Sequence, residues 1–468
     1  MNKLLHIIKK LIPTKLFKAV QPAYHFLFAF LAAAIYRWPS EKLIVIGVTG
    51  TTGKTTSTYL ISKMLSSCGF KVGYTSTAMF SDGNKEWLND KKMTMPGRLF
   101  TQGTLAQMVR NGCQYAIVET SSEGIRQFRH RFINYDILII TGLYPEHIES
   151  HGGFENYKAA KGKLFAHLKN CKIKYTDETK RVIKTERVLK KLELARIKKT
   201  IIANLDDEHA GYFLDFWAEE KFAYTRENKI PAKEINPVNY DEVLVDESGT
   251  KFKTQDFEIS LKLTGDFNAT NAMNAVCLGL AQGLPLPKIK IALEEITGVP
   301  GRLEKIECGQ NFTVIVDYAF EPKAIEKLYE TAASIPHQRI IHLLGSAGGG
   351  RDMSRRPILG RIAGERADEV IVTNEDPYDE NPEIIIDQVL LGAEKAGKIM
   401  NENLWRLVDR REAIKKALRL AEIGDLVLIT GKGSEQAISL ANGEKMSWDD
   451  RQVVKEELVE LISEDVDK

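Results

Sequence analysis

Residues 47–56 read GVTGTTGKTT, and this is where chemistry is most plainly written in the chain. Glycines here let the backbone bend so that successive N–H groups point inward, and a helix starting at the lysine adds its positive end. Together they make a cradle for phosphate oxygens. Gly50, Thr51, Thr52, Gly53, Lys54, Thr55 and Thr56 are therefore the candidate nucleotide-binding residues. Lys54 would reach the β- and γ-phosphates, and the Thr55 hydroxyl would bind Mg²⁺. The full GxxxxGK[ST] spacing is not met, because Val48 stands where its first glycine would be. Kinases, GTPases, transporters and ligases all use such a loop, so it names a ligand and not a reaction.

A strand must end just before the loop and a helix must begin in it. Residues 43–47, LIVIG, form a short β-branched run of the kind found in buried parallel strands, and a helical pattern runs on to about Cys68. Further strands are expected over 115–119, 136–141, 314–317, 340–345, 369–373 and 426–430. Helices are expected over 100–111, 157–168, 323–333 and 412–421. This alternation predicts an α/β fold: a central P-loop ATPase domain with a mainly parallel sheet, and a C-terminal Rossmann-like α/β domain. Residues 171–199, rich in Lys, Arg and Glu, read as a helical surface insertion whose charges are solvated. The GVPGR run at 298–302 reads as a junction. The division is then 1–40, 41–298 and 299–468.

With 468 residues, two or three domains are expected. A net charge of +2 gives no case for nucleic-acid binding. Five scattered cysteines without a CxxC pair fit a reducing cytoplasm better than a disulfide framework or a zinc site. Residues 1–40 stand apart: they hold no Asp or Glu but carry Lys3, Lys9, Lys10, Lys15, Lys18 and Arg37 around an apolar stretch, 26–36. That stretch is too short to span a bilayer. Two readings stay open, a helix lying on an anionic membrane surface and a helix packed on the next domain.

Taken in order, several segments resemble the Mur ligase family of cell-wall peptide assembly. TGTTGKT (49–55) is similar to its TGTNGK[TS] loop, with Thr52 where Asn is usual. ETSS (119–122), TGLYPEH (141–147), HGGFENYKAAK (151–161), GDFNATN (265–271), GRLE (301–304), DYA (317–319), Arg351-Asp352, Arg356-Pro357 and GKGSE (431–435) follow in the family's order. The wording is most similar to the branch that adds the third amino acid to UDP-MurNAc-L-Ala-D-Glu.

The resemblance implies an ATP-dependent ligase that converts a carboxylate to an acyl-phosphate and then to an amide. It implies two Mg²⁺ ions, held through Thr55, Glu119, His147 and Lys161, with Lys161 carbamylated. Lys54, Glu119, His147, Lys161 and Arg351 would be catalytic. Asn268, Asn271, Arg302 and Asp317 would add to the nucleotide site. Thr94, Met95, Ser121, Gln127 and Arg129 would position a muramyl-peptide carboxylate. Arg351, Glu375, Asp376, Tyr378, Gly431 and Glu435 would face a free amino acid. The expected protein is a cytoplasmic monomer, peripheral to the membrane if residues 1–40 anchor it.

Four departures matter. Met95 replaces a Thr that would donate a hydrogen bond to the substrate. Tyr378 stands where an Arg grips the far carboxylate of diaminopimelate, and it cannot form that bidentate pair. Glu375 and Asp376 could instead meet an ammonium group, which favours lysine or another diamine. Phe320 and Ser434 replace two histidines of the acceptor side. Residues 1–40 are also too few for the small domain that grips UDP in such enzymes. Two alternatives remain: a ligase like folylpolyglutamate or cyanophycin synthetases, and a P-loop protein that binds ATP without ligating.

Overall fold

The computed structural model describes residues 14–145, 151–183, 194–229, 234–350 and 352–466. His147 and Arg351 lie outside the described residues. The chain divides into two compact units, Met1–Trp87 with Met93–Tyr240 and Asn271–Ala292, and Leu88–Lys92 with Asp241–Thr270 and Leu293–Lys468. This partition differs in extent from a single division at residue 298. A Gly-Pro run marks a local break, while membership in a unit depends on long-range contacts that a local pattern does not carry.

In the first unit, helix α1 (Thr14–Ile35) precedes strand β1 (Ile44–Thr49), helix α2 (Lys54–Ser67) and strand β2 (Val72–Thr75). Helix α3 (Arg98–Arg110), strand β3 (Tyr115–Glu119), the short helix α4 (Ser122–Arg126), strand β4 (Ile137–Ile140) and helix α5 (Phe154–Leu168) follow. Strands β5 (Thr200–Asn204) and β6 (Glu220–Thr225) complete the sheet's centre. The order β6–β5–β4–β1–β3–β2 is parallel throughout. Every residue of β1, β3 and β4 is buried, which is why these strands read as unbroken apolar runs rather than alternating ones. Register places Val48 opposite Glu119, and Thr49 opposite Ile140, so the carboxyl ends of β1, β3 and β4 come out together. Ligands of open α/β sheets bind at such an edge.

Residues 171–199 correct the sequence reading. The described part is a three-stranded antiparallel sheet of Lys174–Thr176, Val182–Ile183 and Ala195–Ile197, not a helix. Nor are its charges all solvated. Lys174 and Lys199 are buried, and both ammonium groups donate to the buried carboxylate of Asp136, at 2.5 and 2.7 Å. Asp136 also accepts the Val45 amide at 2.8 Å, which ties this triad to the amino end of β1.

In the second unit, strands β7 (Glu304–Ile306), β8 (Thr313–Val316), β9 (Ile340–Leu344), β10 (Glu369–Val372), β11 (Leu404–Arg406) and β12 (Leu426–Ile429) form one sheet. Its order is β7–β8–β12–β9–β10–β11, parallel except for β7. Helices Pro322–Ala332, Arg355–Arg366, Pro382–Lys395 and Arg410–Leu420 alternate with the strands, and Asp450–Val466 closes the chain. This is the α/β alternation expected from the sequence. A hairpin pairing Thr250–Thr254 with Phe257–Leu261 was not anticipated.

Candidate active site

The loop after β1 has the backbone that its glycines allow. Gly50 has φ 151° and Gly53, the residue before α2, has φ 76°. A side chain on Gly50 would bring its Cβ within 2.0 Å of Thr141 Oγ1, and one on Gly53 would come within 2.4 Å of Asn271 Oδ1. Only glycine fits either place, on conformation and on space. Thr141, at the end of β4, donates to the Thr52 carbonyl at 2.5 Å, and the Thr51 amide donates to the Gly142 carbonyl at 2.8 Å. The loop is thus held from its flank. The Lys54 ammonium folds over it and donates to the Thr51 carbonyl at 2.5 Å.

Beside the loop, the end of β3 presents Glu119, which is fully buried. Both its carboxylate oxygens lie 3.1 Å from the Thr55 hydroxyl. Thr77 surrounds the same carboxylate, its amide donating at 2.8 Å and its hydroxyl at 2.8 Å. No Lys, Arg or His nitrogen among the described residues pairs with Glu119. A buried carboxylate without a cationic partner is costly unless a cation completes it. The oxygen-only donor set of Glu119, Thr55 and Thr77 suits a hard divalent ion such as Mg²⁺, and the residues present fit it.

Lys161, on α5, is 1% exposed. Its ammonium donates to the Gly50 carbonyl at 2.8 Å and lies 4.5 Å from the centre of the Tyr157 ring. Tyr157 in turn stands 3.3 Å from the Thr51 hydroxyl, and His151 Nε2 lies 3.1 Å from the Ser122 hydroxyl. The structure therefore brings Lys54, Thr55, Glu119 and Lys161 to one loop. Asn271 also belongs here, with its Oδ1 3.5 Å from Ser57 Oγ.

Next to this centre lie the residues expected to hold the carboxylate substrate. Thr94 Oγ1 lies 2.9 Å from Thr77 Oγ1, within hydrogen-bond distance. Met95 is buried, but its carbonyl accepts from the Arg129 guanidinium. Arg129 also donates to Gln127 Oε1 at 2.6 and 3.1 Å. Ser121 caps α4, accepting from the Gly124 amide at 3.1 Å.

The second unit carries the other candidates. Asp317 accepts the amides of Leu303 and Ala319, each at 2.7 Å, and so braces the chain on both sides. Arg302 stacks on Tyr318 with its guanidinium carbon 4.3 Å from the ring centre. Asn268 donates to the Thr264 carbonyl at 3.0 Å. Asp376 already has ammonium partners from the chain itself, Lys92 at 2.6 Å and Lys432 at 3.0 Å, and Lys432 also donates to Glu435 at 2.6 Å. Tyr378 has φ 52° and donates its amide to the Ser439 carbonyl at 3.1 Å. Glu375 differs from its neighbour. It is buried, its Oε2 makes no hydrogen bond, and that atom would lie 2.7 Å from a Cβ on Gly431. Burial, then the charge of Asp376, raise its carboxyl above the usual range.

Sequence reasoning missed Thr77, Lys92 and Lys432. No motif letter marks Thr77, though it follows β2, which pairs in parallel with β3 and so ends at the same carboxyl edge as Glu119.

A parallel sheet with a phosphate loop at its carboxyl edge, and a buried acid facing the first turn of the following helix, defines a P-loop nucleotide-binding protein. Within that class, residues 48–193 match the Mur ligase middle domain and residues 301–433 match the Mur ligase glutamate ligase domain. The chain is 35% identical over 439 residues to the UDP-N-acetylmuramyl-tripeptide synthetase of Roseiflexus sp. (strain RS-1), covering 92% of this chain and 81% of that one. It is 34% identical, with the same coverage, to the UDP-N-acetylmuramoyl-L-alanyl-D-glutamate–2,6-diaminopimelate ligase of Syntrophomonas wolfei. The chain belongs to the Mur ligase family. Among solved structures, one of a UDP-N-acetylmuramoyl-L-alanyl-D-glutamate–2,6-diaminopimelate ligase matches at 26% identity and TM-score 0.56, covering 90% of this chain and 79% of that one. The folylpolyglutamate synthase of Mycobacterium tuberculosis shares the fold at TM-score 0.63 and 15% identity, covering 87% of this chain and 92% of that one.

Proposed function

We propose that this chain is an ATP-dependent acid–amino-acid ligase that joins a diamino acid to a UDP-muramyl peptide. The observation that carries the reading is the Thr55–Glu119–Thr77 cluster beside the phosphate loop. The loop amides and Lys54 hold the triphosphate and offset its repulsion from an incoming carboxylate. Thr55 and Glu119 would hold Mg²⁺, which would neutralise phosphate charge when bound. A second ion would draw on His147 and Lys161, the latter as its carbamate.

A carboxylate oxygen of the muramyl peptide, positioned by Thr94, Ser121, Gln127 and Arg129, attacks the γ-phosphorus. The bond from that phosphorus to the ADP oxygen breaks and an acyl-phosphate forms. The acceptor amine, in its neutral form, adds to the acyl carbon. The resulting tetrahedral intermediate expels phosphate and loses the amine's proton, leaving an amide. Arg351, Gly431 and Glu435 serve the acceptor. Glu375 supplies a buried carboxyl oxygen for an ammonium group, consistent with a diamine such as lysine.

ADP release would be measured with Mg²⁺-ATP, UDP-MurNAc-L-Ala-D-Glu and single amino acids. Release that needs both the muramyl peptide and one diamino acid supports the reading. Release with neither, or release with glutamate and a folate instead, rejects it.

The enzyme works in the cytoplasm as a monomer, and α1 rests on the inner membrane surface. Among the described residues no helix is long and apolar enough to cross a membrane. Yet Val20, Tyr24, Leu27, Phe28, Leu31 and Ile35 are exposed at helical spacing, while Ala29, Ala32 and Ala33 are buried. An exposed apolar stripe in a segment without acidic residues suits an anionic bilayer. Sedimentation with phosphatidylglycerol vesicles should retain the full chain and release Leu27→Glu/Leu31→Glu. Equal retention of the two would refute the contact.

A further inference from the structure

Among the described residues, two half-buried arginines of the first unit have no ion-pair partner. Arg98, at the start of α3, donates to the Gln127 carbonyl, and its Nε is buried without a hydrogen bond. Arg129 donates to the Gln127 side chain and the Met95 carbonyl. Neither forms an ion pair with any carboxylate among the described residues. His25, contributed by α1, carries two buried ring nitrogens that also make no hydrogen bond. Charges in this cluster repel one another. Burial and then Arg129 bring the Arg98 guanidinium down to about 10, and burial, Arg98 and Arg129 bring His25 down to about 4. Glu123 is a carboxylate that acts on both His25 and Arg129, and its own ion-pair partner is Arg126, at 3.7 Å.

The cluster has a direction. Glu119 touches Thr77, Thr77 touches Thr94, and the neighbouring Met95 carbonyl touches Arg129. Gln127 then joins Arg129 to Arg98, and α1 packs against the next residue of this loop, its Phe26 ring 6.4 Å from that of Phe128, with His25 adjacent in sequence to Phe26. A substrate whose reacting carboxylate sits near Thr94 would extend its far end toward Arg98 and His25.

We infer that His25 and Arg98 form an anion subsite for the diphosphate that links the muramyl sugar to its carrier, while Arg129 stays with the carboxylate end. This rests on the ligase reading above. Guanidinium forks match phosphate oxygens bidentately, and unpaired imidazole and guanidinium N–H groups supply further donors. The carrier beyond the diphosphate is a nucleoside or a polyprenyl lipid, and the subsite reads the diphosphate common to both.

The test compares three carboxylate substrates with the same peptide, using the full chain: UDP-linked, undecaprenyl-diphosphate-linked in detergent, and a muramyl peptide without phosphate. The readout is the ratio of kcat/KM for each diphosphate substrate to that of the phosphate-free one. Wild type should prefer at least one diphosphate substrate, and whichever is preferred identifies the carrier. Arg98→Gln should lower that ratio at least tenfold, mainly through KM, and Arg98→Lys should keep most of it. His25→Ala should lower it less. No wild-type preference, or a ratio unchanged in Arg98→Gln, overturns the subsite. Calorimetry with inorganic pyrophosphate gives an arm independent of turnover. Binding by wild type that Arg98→Gln loses supports the subsite even if no peptide is ligated, and binding that both share overturns it.

Discussion

Thr77 grips Glu119 twice, donating its amide to one carboxylate oxygen and its hydroxyl to the other, both at 2.8 Å. These two bonds fix which way the acid faces Thr55. A hydrogen bond to a charged group contributes roughly 1.5–3 kcal/mol. Thr77→Val should therefore lower kcat about 10- to 100-fold and raise the Mg²⁺ concentration for half-maximal rate. Thr77→Ser keeps the hydroxyl and should restore both. Titrating activity against Mg²⁺ decides it, since a merely structural residue would not move the Mg²⁺ dependence.

Lys161 holds the Gly50 carbonyl from a nearly closed position. Lys161→Ala should lower kcat about a hundredfold or more. Formate or acetate should restore part of the rate if the working group is the carbamate, because a small carboxylate can occupy the space left by the side chain. Formate would do nothing for a lysine that only braces the loop. Initial rates across a formate series would separate these roles.

Much of the active centre was legible because it is local. The LIVIG run, the two loop glycines and Lys54 lie within a dozen residues, and their physics is the physics of one strand–loop–helix turn. Three strands of the parallel centre, β1, β3 and β4, were legible for a related reason, while β2, β5 and β6 were not marked. Strands buried on both faces must be apolar along their whole length. What failed were pairings across long sequence separation. The charges of 171–199 look solvated until Lys174 and Lys199 meet Asp136. Thr77 looks like any threonine until β2 is placed beside β3. His25 and Arg98 belong to different helices, and no spacing rule connects them.

Asp136→Ala should destabilise the first unit by about 3–5 kcal/mol, since it leaves two ammonium groups buried without their carboxylate. Replacing all three residues, Asp136→Leu with Lys174→Met and Lys199→Met, should recover most of that loss. Urea unfolding midpoints of the two variants would measure it. A loss below about 1 kcal/mol in the single variant would show that Lys174 is satisfied by the Leu43 and Asn134 carbonyls, and Lys199 by the Tyr135 carbonyl, each bond 2.7 Å long.

His342 predicts a pH dependence in the second unit. It is fully buried between the Tyr329 hydroxyl at 2.6 Å and the Thr430 hydroxyl at 3.0 Å, and burial lowers it from 6.5 to about 3. The unfolded imidazole takes up a proton below about pH 6.5, while the folded one stays neutral. Its contribution to stability is therefore complete above pH 6.5 and is lost as pH falls from there toward 3, up to roughly 4–5 kcal/mol. His342→Gln cannot titrate and should show a shallower decline. Unfolding curves at pH 7, 5.5 and 4.5 would reveal it, and parallel declines in the two proteins would reject it.

Glu375 and Asp376 are adjacent acids with opposite surroundings. Lys92 and Lys432 lower Asp376, so it is committed to the chain's own ammonium groups. Glu375 is raised by burial and has an oxygen without a hydrogen bond facing Gly431. An ammonium group brought to that oxygen would complete it, and the carboxyl must ionise to hold it. Acceptor KM should accordingly fall as pH rises through the raised titration of Glu375, with the ATP KM unaffected. Glu375→Gln should raise the acceptor KM about tenfold and abolish that pH trend. Comparing lysine with norleucine, which lacks the second amine, assigns the contact. If Glu375 reads the distal ammonium, wild type favours lysine and Glu375→Gln loses the preference. A variant that weakens both acceptors equally would place Glu375 at the reacting amine instead, because that amine is common to both.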